Sequence, residues 1–115
     1  MKIAINSRDE KILSELGRLL RSRNRLDEIS AGGESLEPLQ AAQSLPDVLI
    51  FDRPSNDRAD LAAIERLSNL HPRMAFIVLC HHPPPEFLLQ AMRAGVRDVL
   101  PFPAAQASLY AALER

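Results

Sequence analysis

The chain has 115 residues, of which 46% are hydrophobic and 25% are charged, and its formal net charge is −1. The length fits one domain, the composition excludes disorder, and the near-neutral charge gives no general attraction to nucleic acid or to an anionic membrane. The single cysteine, with no signal peptide and no apolar run long enough to cross a bilayer, predicts one cytoplasmic domain over residues 1–115 without direct membrane insertion.

Five segments predict strands. In chain order they are residues 3–5, a weaker and more polar segment at 26–31 that suits a sheet edge, and then 48–51, 75–79 and 97–100. The runs at 48–51 and 75–79 are continuously apolar, without alternation. This is typical of parallel strands that helices cover on both faces.

Apolar residues at helical spacing predict five helices between and after these strands. They cover residues 9–23, 36–44, 61–70, the stretch from the Pro83–Pro85 run to Gly95, and 104–115. Ser7 and Glu10 have the spacing of a capping box, so we expect Ser7 to cap the first helix. Alternating strands and helices with short loops predict a doubly wound α/β fold with a parallel sheet.

In such a sheet, ligands bind beyond the carboxyl ends of the strands. The residues at those positions resemble a response-regulator receiver domain over essentially the whole chain. Residues 46–52 resemble the receiver strand that ends in the phosphoacceptor aspartate, and residues 91–100 resemble its passage from a helix into the last strand. Phe102-Pro103 falls where receivers carry Lys-Pro. The resemblance implies a CheY-like, flavodoxin-like sheet of five strands in the order 2-1-3-4-5, with five helices.

Most of the residues that phosphoryl transfer requires in receivers are replaced. Receivers hold Mg²⁺ with two acids after the first strand, and they bind phosphoryl oxygens with a hydroxyl and a lysine. Asp52 matches the phosphoacceptor, but Ser7 and Arg8 stand for the acids, Cys80 for the hydroxyl and Phe102 for the lysine. We therefore predict no catalysis, no Mg²⁺ and no other cofactor. A hypothesis follows that Arg8 forms an ion pair with Asp52 in the place of the metal.

A narrower resemblance covers residues 75–80 and 85–101, which are similar to the atypical receiver domain of CpaE/TadZ pilus assembly proteins. It implies a docking module for proteins of a pilus or secretion apparatus, recruited to the inner face of the membrane or to a cell pole. Those proteins resemble MinD-type ATPases in their carboxyl half, so we expect this chain to be the amino-terminal domain of a longer protein. Two alternatives stay open: a receiver phosphorylated on Asp52, and the pseudo-receiver half of an RNA-binding antiterminator.

Aromatic residues indicate where partners bind. If Leu88, Ala91 and Met92 face the core, then Phe87 lies on the outer face of its helix. Receivers commonly use this helix–strand–helix face for dimers or partners, and exposed apolar side chains gathered on one face mark such surfaces. Local burial of Phe102 and Tyr110 is equally open. We predict a homodimer or partner surface that consists of Phe87, Gln90, Ala94, Phe102 and Tyr110.

Two further clusters have ordinary structural explanations. Cys80-His81-His82 are adjacent on an extended chain and point in different directions, whereas structural zinc sites need spaced ligands. We predict no metal site. The basic run at residues 21–25 ends a predicted helix, where cations complement the helix dipole, so we predict no nucleic-acid binding.

Overall fold

The sheet is all parallel and has the predicted strand order. A computed structural model describes residues 1–32, 45–52, 58–80, 82–101 and 106–114. The five strands pair in the order β2-β1-β3-β4-β5, which confirms the predicted doubly wound α/β class and its order 2-1-3-4-5. Their bounds are β1 Lys2–Asn6, β2 Glu28–Gly32, β3 Val48–Asp52, β4 Ala75–Leu79 and β5 Asp98–Leu100.

Four helices lie within the described ranges. They are α1 Glu10–Arg23, α2 Arg58–Leu70, α3 Pro85–Ala94 and α4 Gln106–Leu113. Each corresponds to a predicted helix. The remaining predicted helix, which is the second in chain order at residues 36–44, lies outside the described residues. The predicted start of the last helix, at residue 104, also lies outside them.

Both faces of the sheet are covered, which explains the continuous apolar runs. Every residue of β3 and β4 is buried. Alternate residues of these strands enter two separate cores. One core joins the sheet to α1 and α4, and the other joins it to α2 and α3.

The start of α1 differs from the prediction. Asp9, not Ser7, is the N-cap residue, and its carboxylate accepts a hydrogen bond of 2.9 Å from the Lys11 amide. The capping box of Ser7 and Glu10 is therefore wrong. Ser7 is fully buried and its hydroxyl is directed to another strand, because the chain leaves β1 with this side chain facing the sheet edge.

The face that α3 turns to the core also differs from the prediction. Phe87, Ala91 and Ala94 are buried, whereas Leu88 and Met92, which were expected to face inward, are exposed. The reason is close packing against α2. At Gly95, which ends α3, an added Cβ would lie only 2.4 Å from Ser68 Oγ of α2. The inner face of α3 packs in the same core as the apolar side chains of α2.

Candidate functional site

The strand register brings three predicted site residues to one edge of the sheet. Asn6 pairs with Phe51, and Asp52 pairs with Leu79, so the carboxyl ends of β1, β3 and β4 are level. Ser7, Asp52 and Cys80 stand at these ends, and all three are buried. These three residues therefore lie at one edge of the sheet, and that they form a degenerate phosphorylation site stays a prediction. Phe102, another of the five predicted members, lies outside the described residues.

A hydrogen bond joins Ser7 to Asp52. The Ser7 hydroxyl donates to Oδ2 of the carboxylate at 2.7 Å, across 45 residues of sequence. The same hydroxyl oxygen accepts a hydrogen bond of 3.0 Å from the Asp9 amide. Because donor and acceptor are both engaged, the hydroxyl has a defined orientation. The chain itself therefore supplies a partner to the carboxylate that matches the receiver phosphoacceptor.

Arg8 does not take the place of a metal ion. Its side chain is exposed, and it forms no ion pair with Asp52, although both residues are described. The hypothesis of an Arg8–Asp52 pair is wrong. Arg8 lies at a bend after the end of β1, and its side chain faces solvent while that of Ser7 is buried.

Cys80 completes the buried edge as a neutral group. Its amide donates to the carbonyl of Leu100 at 2.9 Å, which fixes the start of the loop after β4. Burial raises the pKa of the Cys80 thiol, and the negative charge of Asp52 raises it further. A thiol whose pKa is raised stays protonated at neutral pH, so it is a poor nucleophile and a poor metal ligand.

The donor set does not fit Mg²⁺. Magnesium requires near-octahedral coordination by oxygen atoms and is usually held by carboxylates and water. Among the described residues, the buried groups at this edge are one carboxylate, with one oxygen already bound to Ser7, a thiol and the amide oxygen of Asn6. Within the described ranges, no three acidic, cysteine or histidine side chains come together as a metal site. His81 of the Cys-His-His run lies outside those ranges.

The predicted interaction surface is only partly where the sequence placed it. Phe87 and Ala94 are 5% exposed and belong to the core between the sheet and α3, so their assignment to a surface is wrong. Gln90 is half-buried. Tyr110 is half-buried too, and its hydroxyl donates a hydrogen bond of 2.6 Å to the carbonyl of Leu19 on α1.

A different set of α3 residues is exposed. We call it the α3 surface, and it consists of Leu88, Leu89 and Met92, which are 39%, 53% and 62% exposed. The sequence carried a signal for this arrangement in the spacing of Phe87, Ala91 and Ala94, which form a second inward stripe. Leu88 and Met92 are larger than the two alanines, so the sequence favoured them as the inward-facing residues.

No helix in the described part of the chain has the length and apolar character needed to cross a membrane.

Two solved structures from pilus assembly resemble the whole chain. A protein described as pilus assembly-related, from Burkholderia pseudomallei, is 36% identical with a TM-score of 0.90, and the match covers 100% of this chain and 87% of that one. The cpaE pilus assembly protein of Burkholderia thailandensis is 33% identical with a TM-score of 0.83, over 100% of this chain and 99% of that one.

The wider likeness is to receiver domains. A response regulator receiver domain protein from Clostridium thermocellum has a TM-score of 0.81 at 22% identity, over 98% of this chain and 90% of that one, which shows the shared fold. Neither a protein-family model nor a curated sequence matches the chain.

Proposed function

Because this chain belongs to the family of receiver-like domains of CpaE-type pilus assembly proteins, we propose that it is a pseudo-receiver that binds other proteins of a pilus apparatus. In this proposal it is not an enzyme and uses no phosphoryl switch. It acts in the cytoplasm, where its partners recruit it to the inner face of the membrane or to a cell pole. That it is the amino-terminal domain of a longer ATPase-containing protein stays a prediction.

The Asp52 edge supports the absence of a phosphoryl switch. A receiver needs a cation between two anions, and here the two acid positions carry a buried hydroxyl and an exposed guanidinium. The carboxylate is buried and already accepts a hydrogen bond from Ser7. A neutral Cys80 thiol stands where a hydroxyl would contact a phosphoryl oxygen.

The observation that carries the binding proposal is the α3 surface. Its three large apolar side chains adjoin one another on a single helix face, whereas isolated exposed leucines are common on any protein. Removing such side chains from water is the main source of affinity in protein interfaces. A contiguous apolar patch on an otherwise ordinary surface therefore favours a protein partner.

A second copy of the chain fits this surface, so the proposal includes a homodimer. Glu86 and Arg93 are exposed and flank Leu89 along one line of α3. They are seven residues apart, close to two full turns, and so lie on the same side of the apolar patch. When two identical helices pack antiparallel, each Glu86 faces Arg93 of the second copy.

Substitution of the apolar patch tests the proposal. We expect Leu89→Glu or Met92→Glu to weaken self-association about tenfold or more. Each substitution takes away the apolar area that association would bury, which is roughly half of a large side chain, and puts in its place a charge that must lose its water. Sedimentation equilibrium gives the dissociation constant. The matched control is Leu70→Glu on α2, whose leucine is 60% exposed outside the α3 surface. Equal effects of all three variants would contradict the proposed surface.

Charge reversal tests the antiparallel arrangement. Glu86→Arg and Arg93→Glu should each prevent homodimers, because each variant then presents two like charges at both contacts. An equimolar mixture of the two variants should form heterodimers, since every contact then joins opposite charges. If wild type stays monomeric at millimolar concentration, the homodimer is wrong. If the mixture fails to associate while wild type dimerises, the antiparallel pairing is wrong.

A further inference from the structure

The turn between α1 and β2 presents a leucine to solvent. Leu26 is 87% exposed, the highest value among the large hydrophobic residues of the described chain. The turn lies at the amino-terminal edge of the sheet, because β2 begins two residues later at Glu28. The turn is therefore at the opposite edge from Asp52, so the candidate site does not explain why Leu26 is exposed.

The turn is held in shape from both sides. The side-chain oxygen of Asn24 accepts a hydrogen bond of 2.9 Å from the Leu26 amide. The backbone carbonyl of Asn24 accepts one of 3.3 Å from the Asp27 amide. The Asp27 carboxylate is almost fully buried and forms an ion pair with Arg23 at 2.8 Å. Leu26 thus projects into solvent from a turn whose backbone is held by hydrogen bonds.

Three unpaired arginines accompany this leucine. Arg18, Arg21 and Arg25 are exposed, and none has a hydrogen bond or an ion pair within the described ranges. The nearest acidic residue, Asp27, pairs with Arg23 and the amino terminus instead, and Glu15 and Glu28 pair with none of the three. Arg21 and Arg23 lie in the last turn of α1, where cations complement the helix dipole. That explanation does not cover Arg18 or Arg25.

We propose that Arg18, Arg21, Arg25 and Leu26, here called the arginine–leucine tip, dock the domain on an anionic phospholipid surface. The arginines contact the head-group phosphates, and Leu26 enters the boundary with the acyl chains. A projecting apolar side chain that follows three exposed arginines in the chain fits a bilayer, which accepts it without a preformed pocket. A site for single-stranded nucleic acid would combine such cations with aromatic side chains that stack on bases, and the tip has no aromatic residue.

The small net charge of the chain does not oppose this docking. Charges more than about 8 Å away are largely screened at physiological salt, so the local cluster decides the attraction. Each arginine near an anionic bilayer raises the partition coefficient about fivefold, so three give about a hundredfold preference over a neutral bilayer. Such binding is reversible and goes beyond the protein contacts proposed above.

Co-sedimentation with lipid vesicles tests the proposal. We expect wild type to bind vesicles of phosphatidylcholine mixed with phosphatidylglycerol, to bind pure phosphatidylcholine far less, and to dissociate at high salt. Leu26→Glu and Arg25→Glu should each lower the partition coefficient about tenfold or more. Leu70→Glu and Arg66→Glu, which change an exposed leucine and an exposed arginine of α2, are the matched controls and should bind as wild type does.

Three outcomes would overturn the proposal. They are equal binding to neutral and anionic vesicles, unchanged binding of both tip variants, and no binding of wild type to either vesicle. In the last case, retention on immobilised polyglutamate that Arg25→Glu abolishes would assign the cluster to an acidic protein instead. The result is separable from the proposed function, because Met92→Glu should weaken protein association and leave vesicle binding unchanged.

Discussion

A hydroxyl at position 7 alters the surroundings of the carboxylate at position 52. Two acids side by side in a buried edge repel each other, and a cation or a proton must compensate. Ser7 instead donates a hydrogen bond to Asp52, so one oxygen of the buried carboxylate has a partner within the chain. In the proposed function, the aspartate acts as a structural acceptor.

Removing the Ser7 hydroxyl should therefore destabilise the domain. We expect Ser7→Ala to lower the free energy of unfolding by about 1–3 kcal/mol, because it leaves a buried oxygen of Asp52 and the Asp9 amide without a partner. Urea denaturation measures the change. Ser14→Ala, at an exposed position of α1, is the control and should shift stability by no more than about 0.5 kcal/mol. Equal stabilities would show that the hydrogen bond contributes nothing in solution.

For single residues, the sequence predicted where a side chain lies in the fold better than which side chain it contacts. It placed Ser7, Asp52 and Cys80 at strand ends, since apolar runs mark where strands stop. It assigned the helix cap to Ser7 from its spacing to Glu10, whereas Asp9 is the cap. The deciding contact joins Ser7 to a residue 45 positions away, and local spacing carries no record of it.

Among the elements, α3 is defined by how closely it approaches α2. Gly95 ends the helix with φ at +100°, in the left-handed region, and its amide bonds to carbonyls of the last turn. Ser68 Oγ occupies the space that a side chain there would need. Both backbone conformation and packing thus require glycine at this position.

Substitution at the two helical glycine sites should have opposite effects. Gly95→Ala is expected to cost about 1–3 kcal/mol of stability, because it combines an unfavourable φ with a contact to Ser68. Gly17→Ala, inside α1, would meet only the flexible end of Arg21 at 3.3 Å and should be neutral or stabilising by up to about 1 kcal/mol. Thermal denaturation compares them. A Gly95→Ala variant as stable as wild type would contradict the close packing of α3 on α2.

The orientation of α3 shows why a helix face can be misassigned. Phe87 with Ala91 and Ala94, and Leu88 with Met92, form two apolar stripes on one helix, and only the first faces the core. Leu88 and Met92 are larger than the two alanines, so hydrophobicity alone does not identify the inner stripe. The close approach of α3 to α2 at Gly95 and Ser68 exists only in the folded domain.

For the whole molecule, the sequence was sufficient to predict the architecture. Alternating elements and doubly buried strands indicate a parallel sheet, and β3 and β4 are buried throughout as their composition predicted. The pairing order came from the resemblance to receivers, and the sheet confirms it. What the sequence could not provide was the outward-facing surface, because exposure depends on how every element packs against its neighbours.

Titration with Mg²⁺ and beryllofluoride, followed by amide NMR, tests whether any phosphoryl switch remains. We expect no saturable shifts at Ser7, Arg8 or Asp52, because one carboxylate bound to a hydroxyl does not form a magnesium site. Saturable shifts that extend to α3 and α4 would instead support a phosphorylatable receiver. The protein should first be checked for intact folding by its spectrum without ligands.

The hydrogen bond from Ser7 to Asp52 has a consequence for the cell that makes this protein. In the proposed function, a domain whose own hydroxyl binds its central carboxylate does not react with the kinases and small phosphodonors that act on other receivers. Crosstalk with two-component pathways would then be absent. The extent of assembly would depend on how many copies the cell synthesises and where they accumulate, so gene dosage would replace the control that a signal otherwise exerts.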